Sequence, residues 1–233
     1  MTVVCILQPS YLPWLGYFDQ IYRSDVFVFY DDVQYDKHGW RNRNKIKTPK
    51  GWQWLTVPVL TRDRFGKLIY EMEIDNHTPW AEKHLKSIQA NYRRSPYHDS
   101  YIKFLEEIYS TKWRYLADLD IELIKLIINL LGMKDKKFVR STELNVEGAR
   151  IERLIKICRL LKADIYLTGQ AARNYLDEKL FAEAGINVEY QNYKHPLYPQ
   201  LYGDFIPYLS VIDLLFNCGP ESLKILVKGG EEI

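Results

Sequence analysis

Val3-Val4-Cys5-Ile6-Leu7 runs directly into Gln8-Pro9-Ser10-Tyr11-Leu12-Pro13-Trp14-Leu15-Gly16-Tyr17-Phe18. The short unbroken apolar run has the pattern of a strand buried on both faces, as in a parallel sheet. It opens into a loop with two prolines, which fix φ and withhold backbone donors, so the loop is rigid. Open α/β sheets bind ligands in loops at the carboxyl ends of their strands. Gln8, Tyr11, Trp14, Gly16 and Tyr17 are therefore expected to line a binding site.

Outward from this stretch, residues 18–23 form a short helix with Phe18, Ile21 and Tyr22 on one face, and residues 26–30 form a second all-apolar strand. Strand, loop-helix and strand make a βαβ unit. The second strand ends in Asp31-Asp32. Carboxylates at such a place serve metal or ribose contacts, or cap a turn. Next come Arg41, Arg43, Lys45 and Lys47, which share one face if the chain is extended, with Asn42, Asn44 and Ile46 on the other. This row reads as an anion site, the alternatives being a solvated cationic edge or pairing with the two aspartates. Tyr35, Trp40 and Asn42 flank it and are grouped with it for substrate binding.

Residues 51–59 and 67–74 read as two strands of a hairpin around the charged connection 61–66, Pro58 marking an edge or an end. The period then changes to helical over residues 79–92, 101–108 and 115–131, with Gly132 a C-cap candidate. His84 and His98 fall in or between these helices and are read as surface or capping histidines, since no second metal ligand stands one turn away. The α/β rhythm returns with strands at 138–141, 163–168 and 186–190, separated by helices at 147–161 and 175–184. Gly169 and Gln170, at the end of one of these strands, offer backbone N–H groups and an amide to a ligand. His195, Tyr198 and Gln200 come after the last strand and so return to the same carboxyl edge. Ser210 is an N-cap candidate with Asp213 at the third helical position. The fold class expected is α/β: a mostly parallel Rossmann-like sheet with an inserted β-hairpin and a helical block. Residues 1–50 and 137–233 would form the sheet and 51–136 the insertion, in one domain of 1–233.

Composition agrees with a folded, ligand-handling protein. The chain has 233 residues and is 47% apolar, enough for a sizeable core. Aromatics reach 14%, with 18 Tyr and 6 Trp, residues that combine a flat apolar body with a polar handle. A net charge of +2, from 32 basic and 30 acidic residues, argues against a nucleic-acid partner. Three scattered cysteines with no Cys-x-x-Cys pair argue against disulfides and cysteine zinc sites. The start lacks a signal-peptide pattern and the longest apolar run is too short for a membrane span, so a cytoplasmic protein is expected. No metal ligand set and no cofactor is assigned.

The opening loop, Asp31-Asp32-Val33-Gln34-Tyr35, Arg41-Asn42-Arg43-Asn44-Lys45-Ile46-Lys47, Leu55-Thr56-Val57-Pro58-Val59, His195-Pro196-x-Tyr198-x-Gln200 and Phe205-Ile206-Pro207-x-Leu209-Ser210-Val211-Ile212-Asp213-Leu214-Leu215 together resemble the WbqC-like family over nearly the whole chain. The resemblance implies a role in bacterial surface-polysaccharide or related biosynthesis. A weaker likeness links Trp14-Leu15-Gly16-Tyr17 to the His-x-Gly-His motif of Rossmann-like nucleotidylyltransferases, and implies that Gly16 would let a phosphate approach the helix N-terminus. Neither histidine is present, so Arg41, Arg43 or Lys45 would have to supply the positive charge. The expected function is group transfer on an activated sugar or acyl compound, with a nucleotide or nucleotide sugar as the small-molecule partner and Asp31 or His195 as general base. The alternative is a non-catalytic ligand-binding or scaffolding subunit of a glycan-assembly complex.

Overall fold

The structure, a computed structural model, describes residues 1–37, 39–61 and 66–230. Strand β1 (Val3–Leu7) lies at the centre of a five-stranded parallel sheet. The loop after it enters helix α1 (Leu15–Arg23), which begins at Leu15 rather than Phe18 because Leu15 and Gly16 are themselves buried. Strand β2 (Val26–Phe29) then pairs alongside β1.

Strands β3 (Arg43–Thr48) and β4 (Gly51–Thr56) form a separate antiparallel hairpin. This corrects the expected pairing of residues 51–59 with 67–74. The first of these runs folds back on the cationic row through Pro49-Lys50, and a link so short closes at less entropic cost than the longer one over residues 60–66. Residues 67–74 instead make a single 3₁₀ turn, Ile69–Glu71, form isolated bridges such as Val59 to Ile74 in place of a strand ladder, and bury Met72 and Ile74 in the larger core. The expected hairpin tip at 61–66 falls largely on residues 62–65, outside the described residues.

Helices α2 (Trp80–Tyr92), α3 (His98–Ser110) and α4 (Leu116–Leu131) form the helical block. Gly132, with φ of 75°, ends α4 in the left-handed conformation that glycine adopts most readily. The sheet resumes with β5 (Lys137–Arg140), a short helix α5 (Ser141–Leu144), α6 (Arg150–Leu160) and β6 (Ile165–Gly169). A 3₁₀ turn over Gln170–Asn174, helix α7 (Glu178–Glu183) and β7 (Asn187–Gln191) complete it. An irregular tail leads to α8 (Val211–Cys218), capped by the Ser210 hydroxyl, and to α9 (Ser222–Lys228).

The strand order is β5-β2-β1-β6-β7. Connections run one way from β1 to β2 and β5, and the other way to β6 and β7, so the order reverses between β1 and β6. Side chains alternate across the sheet. Cys5, Phe27, Phe29 and Leu167 face a core built with α1, α4, α8 and α9, while Val4, Ile6, Val28 and Tyr166 face a second core built with α6 and α7. Both faces are covered, which is why the strands read as continuous apolar runs. Among the described residues no helix is long and apolar enough to cross a membrane.

Candidate functional site

Two cavities open at the carboxyl end of β1, where the strand order reverses. The first, about 370 Å³, is lined by Leu7, Gln8, Ser10, Pro13, Trp14, Tyr17, Gln20, Trp40, Arg41, Asn44 and Tyr208. The second, about 670 Å³, lies toward α6 and is lined by residues that include Tyr30, Arg150, Ile151, Tyr166 and Tyr175. Leu7, Gln8 and Arg41 line both, so the cavities meet over the end of β1. Crevices at such a reversal are where open α/β sheets hold ligands, and these volumes suit a small molecule.

Arg41 is the charged group at that junction. It does not continue the β3 row: its guanidinium turns under the opening loop, where Nη1 donates to the carbonyls of Gln8 (3.1 Å) and Pro9 (3.4 Å). The Gln8 carbonyl also accepts from the Tyr17 hydroxyl (3.2 Å), and the Tyr11 N–H donates to the Arg41 carbonyl (3.0 Å). Burial lowers the Arg41 pKa, but a guanidinium stays charged. Burial also holds the Tyr17 phenol well above its ordinary pKa, so it remains a donor. Asn44 donates to the Leu12 carbonyl (2.6 Å), which ties the hairpin to the opening loop.

The rest of the cationic row has two different fates. Arg43 and Lys45 lie among tryptophans, with the Lys45 Nζ 4.3 Å from the Trp52 ring centre. Lys47 is covered by the tail, where Nζ bonds to the Gln200 Oε1 (2.9 Å) and the Asp204 carbonyl (2.6 Å). Asn42 donates to the Val57 carbonyl and braces the hairpin.

Several expected site residues do not line the cavities. The Tyr11 ring is fully buried, and its hydroxyl bonds to Tyr109 and to His84 Nδ1 (2.8 Å). His84 is thus buried, not a surface residue as expected, and burial lowers its pKa to about 4. His98 stacks on Phe216 and pairs with Asp99. Asp31 is fully buried and accepts from Arg140 Nε (2.6 Å), Ser141 Oγ (3.1 Å) and the Thr142 N–H (3.2 Å), while Asp32 pairs with Arg153. These are the bonds of a cap that fastens β2 to the start of α5, so Asp31 has no free oxygen facing a substrate. Tyr35 packs against the larger core. Asp31→Asn keeps the shape but loses the charge-assisted bonds, and is expected to lower unfolding free energy by about 1.5–3 kcal/mol in urea titration.

The tail residues divide similarly. Tyr198 donates to Asp213 Oδ2 (3.0 Å), and the Gln200 amide clamps Ile206 from both sides. His195 sits behind Trp14, rings 18° apart and 6.5 Å between centres, with Nδ1 on the Pro196 carbonyl (3.0 Å). That carbonyl fixes the proton on Nδ1, and burial lowers the histidine pKa. Gln170 holds the Gln191 carbonyl (2.9 Å), and Gly169 lies beside Gln20. Neither reaches the cavity, but Gln20 does, and it donates to Gln191 Oε1 (3.0 Å). Tyr208, Gln20 and Asn44 line the cavity although not singled out as ligand contacts. Gln20 stands one helical turn after Tyr17, a spacing that carries the signal, whereas Asn44 alternates with Lys45 onto the other face of β3, where it bonds to the opening loop.

Gly16 has a different role from the one expected. A Cβ there would lie 2.3 Å from the Trp14 ring, so the indole, not a phosphate, occupies the open space over the helix start. In an exposed helix Gly→Ala stabilises by roughly 1 kcal/mol. Gly16→Ala is expected to do the reverse, displacing Trp14 and costing about 1–3 kcal/mol, read as a lower Tm together with a shift in tryptophan emission.

This arrangement defines an α/β protein with a cleft at the reversal point of a Rossmann-like parallel sheet. The chain belongs to the WbqC-like protein family, whose model matches residues 8–225. It is 39% identical over 226 residues to an uncharacterized protein of Mycobacterium tuberculosis, covering 95% of this chain and 96% of that one. No solved structure matches.

Proposed function

We propose that the protein binds an activated small molecule with an anionic part, a nucleotide sugar being the type that suits the cleft, and transfers a group from it in the making of a surface saccharide or related product. The observation that carries this reading is the meeting of two cavities at Gln8 and Arg41 over the end of β1. Arg41 would take the anion, with its planar fork suited to phosphate oxygens. Trp14, Trp40 and Tyr208 would hold a flat or pyranose part by ring contact. Catalysis would then rest on positioning and on positive charge near the leaving group.

Thermal unfolding of the chain with nucleotides, nucleotide sugars and acyl-CoAs tests the binding. A ligand at a hundred times its Kd should add about 2.7 kcal/mol of stability. Silence across the whole panel would sink the reading. Release of free nucleotide from a nucleotide sugar, followed by phosphorus NMR, tests the transfer.

One observation favours a second reading, a ligand-binding subunit without turnover. None of the described residues lining the two cavities is a carboxylate, a cysteine or a histidine. A clear thermal shift with no product from any donor would select it.

A further inference from the structure

On the outer face of the β3–β4 hairpin, Trp52 and Trp54 are 47% and 37% exposed, and Trp40, 46% exposed, lies against them. Trp40 and Trp54 have ring centres 5.3 Å apart, and Trp52 and Trp54 5.7 Å. Two cations are set among these rings: Lys45 Nζ lies 4.3 Å from Trp52 and 5.1 Å from Trp54, and the Arg43 guanidinium 4.7 Å from Trp54. The pairing register explains the cluster, because Lys45 stands directly across from Trp54 and all these strand residues share one face. Trp40 also lines the first cavity, so the platform is continuous with it. Large apolar rings left exposed together on a surface mark a contact site.

We infer that this face is a second subsite, which takes an acidic saccharide chain leading into the cavity as acceptor. Sugar rings present C–H faces that rest on indole, and their carboxylates would meet Lys45 and Arg43. Single-stranded nucleic acid fits less well. Successive bases stack in parallel, whereas these indoles are inclined at 82° and 47°. The balanced net charge of +2 also lacks the basic stripe that tracks a phosphate backbone. The inference rests on the cavity reading only for the acceptor's direction; the platform's chemistry is separable from it.

The test is titration of the full chain with tetragalacturonate, maltotetraose and an eight-residue oligouridylate, followed by tryptophan fluorescence and calorimetry. Tetragalacturonate should bind, maltotetraose about tenfold more weakly, and Trp52→Ala and Lys45→Gln should each cost about tenfold in affinity for the acidic chain. Both variants should keep the wild-type thermal shift with nucleotide sugars, since neither residue lines a cavity. No binding of tetragalacturonate, equal binding of the neutral chain, no effect of either variant, or oligouridylate binding more tightly at the same face would overturn the inference. If Trp52→Ala lowers Tm, Lys45→Gln alone decides. Tetragalacturonate binding that depends on Lys45, with no shift from any nucleotide or acyl-CoA, would remove the cavity reading and leave the platform. The converse pattern would remove the platform alone.

Discussion

With ligand at a hundred times its Kd, Arg41→Gln is expected to cut the ligand-induced stabilisation to about a third or less while leaving a folded protein. The guanidinium is fastened on one side only: Nη1 bonds to two loop carbonyls, and among the described residues nothing accepts from the buried Nε. It is therefore held in place with donors uncommitted, at the point shared by both cavities. Glutamine can replace one bond to the Gln8 carbonyl but brings neither charge nor fork. Removing a charged partner from a desolvated ion contact costs at least about 2 kcal/mol, or roughly thirtyfold in affinity. Arg41→Lys should recover part of this, because it restores the charge without the planar geometry. Calorimetry with the best ligand of the panel gives the numbers. Full affinity in Arg41→Gln would mean that the anion is bound elsewhere.

The second large effect is expected in stability against pH. Asp120, on α4, is fully buried, and among the described residues neither carboxylate oxygen has a hydrogen-bond partner. Burial pushes its pKa well above the ordinary 3.8, with Arg41 pulling the other way. Below about pH 4 the acid is protonated in both folded and unfolded chains. Above that, the unfolded chain releases the proton and the folded one keeps it, so stability falls as pH rises toward the folded pKa. Asp120→Asn cannot ionise and escapes this loss. Its advantage over the wild type should be near zero at about pH 4 and widen by about 1.4 kcal/mol per pH unit above it. The comparison must be between the two proteins, because other groups move the wild-type curve. Asp213, raised to about 6, acts in the same sense, and His84, lowered to about 4, in the opposite one. A pH-independent difference would show that Asp120 ionises freely in the folded protein.

Asp120 also shows where reading the chain stops. Its neighbours Leu119 and Ile121 carry the helical stripe, and an acid between them looks like a solvent-facing position. Only the packing of α4 beside Arg41, Tyr11 and Tyr109 puts it indoors. Asp31 gives the converse case. Its place at the end of β2 was legible, but whether the carboxylate faces a ligand or a helix start depends on Ser141 and Thr142, more than a hundred residues along the chain. The opening loop falls between the two. Trp14, Gln8 and Tyr17 line the cavity as their position after β1 suggests, whereas Tyr11 turns inward to His84.

What the chain determined by itself was local and periodic: apolar runs that must be buried on both faces, helical stripes, the glycine that ends α4, the serine that caps α8, and a rigid loop after the first strand. These depend on backbone preferences and on hydrophobic patterning, which act over a few residues. Only the tertiary structure decided which strand closes the hairpin, which polar groups are consumed in buried bonds, and which remain turned toward the cleft. A side chain's remaining hydrogen-bonding capacity depends on its partners, and here those partners arrive from distant parts of the chain. Arg41 keeps part of its donor set uncommitted at the cleft for that reason, and Asp31 and Gln200 do not.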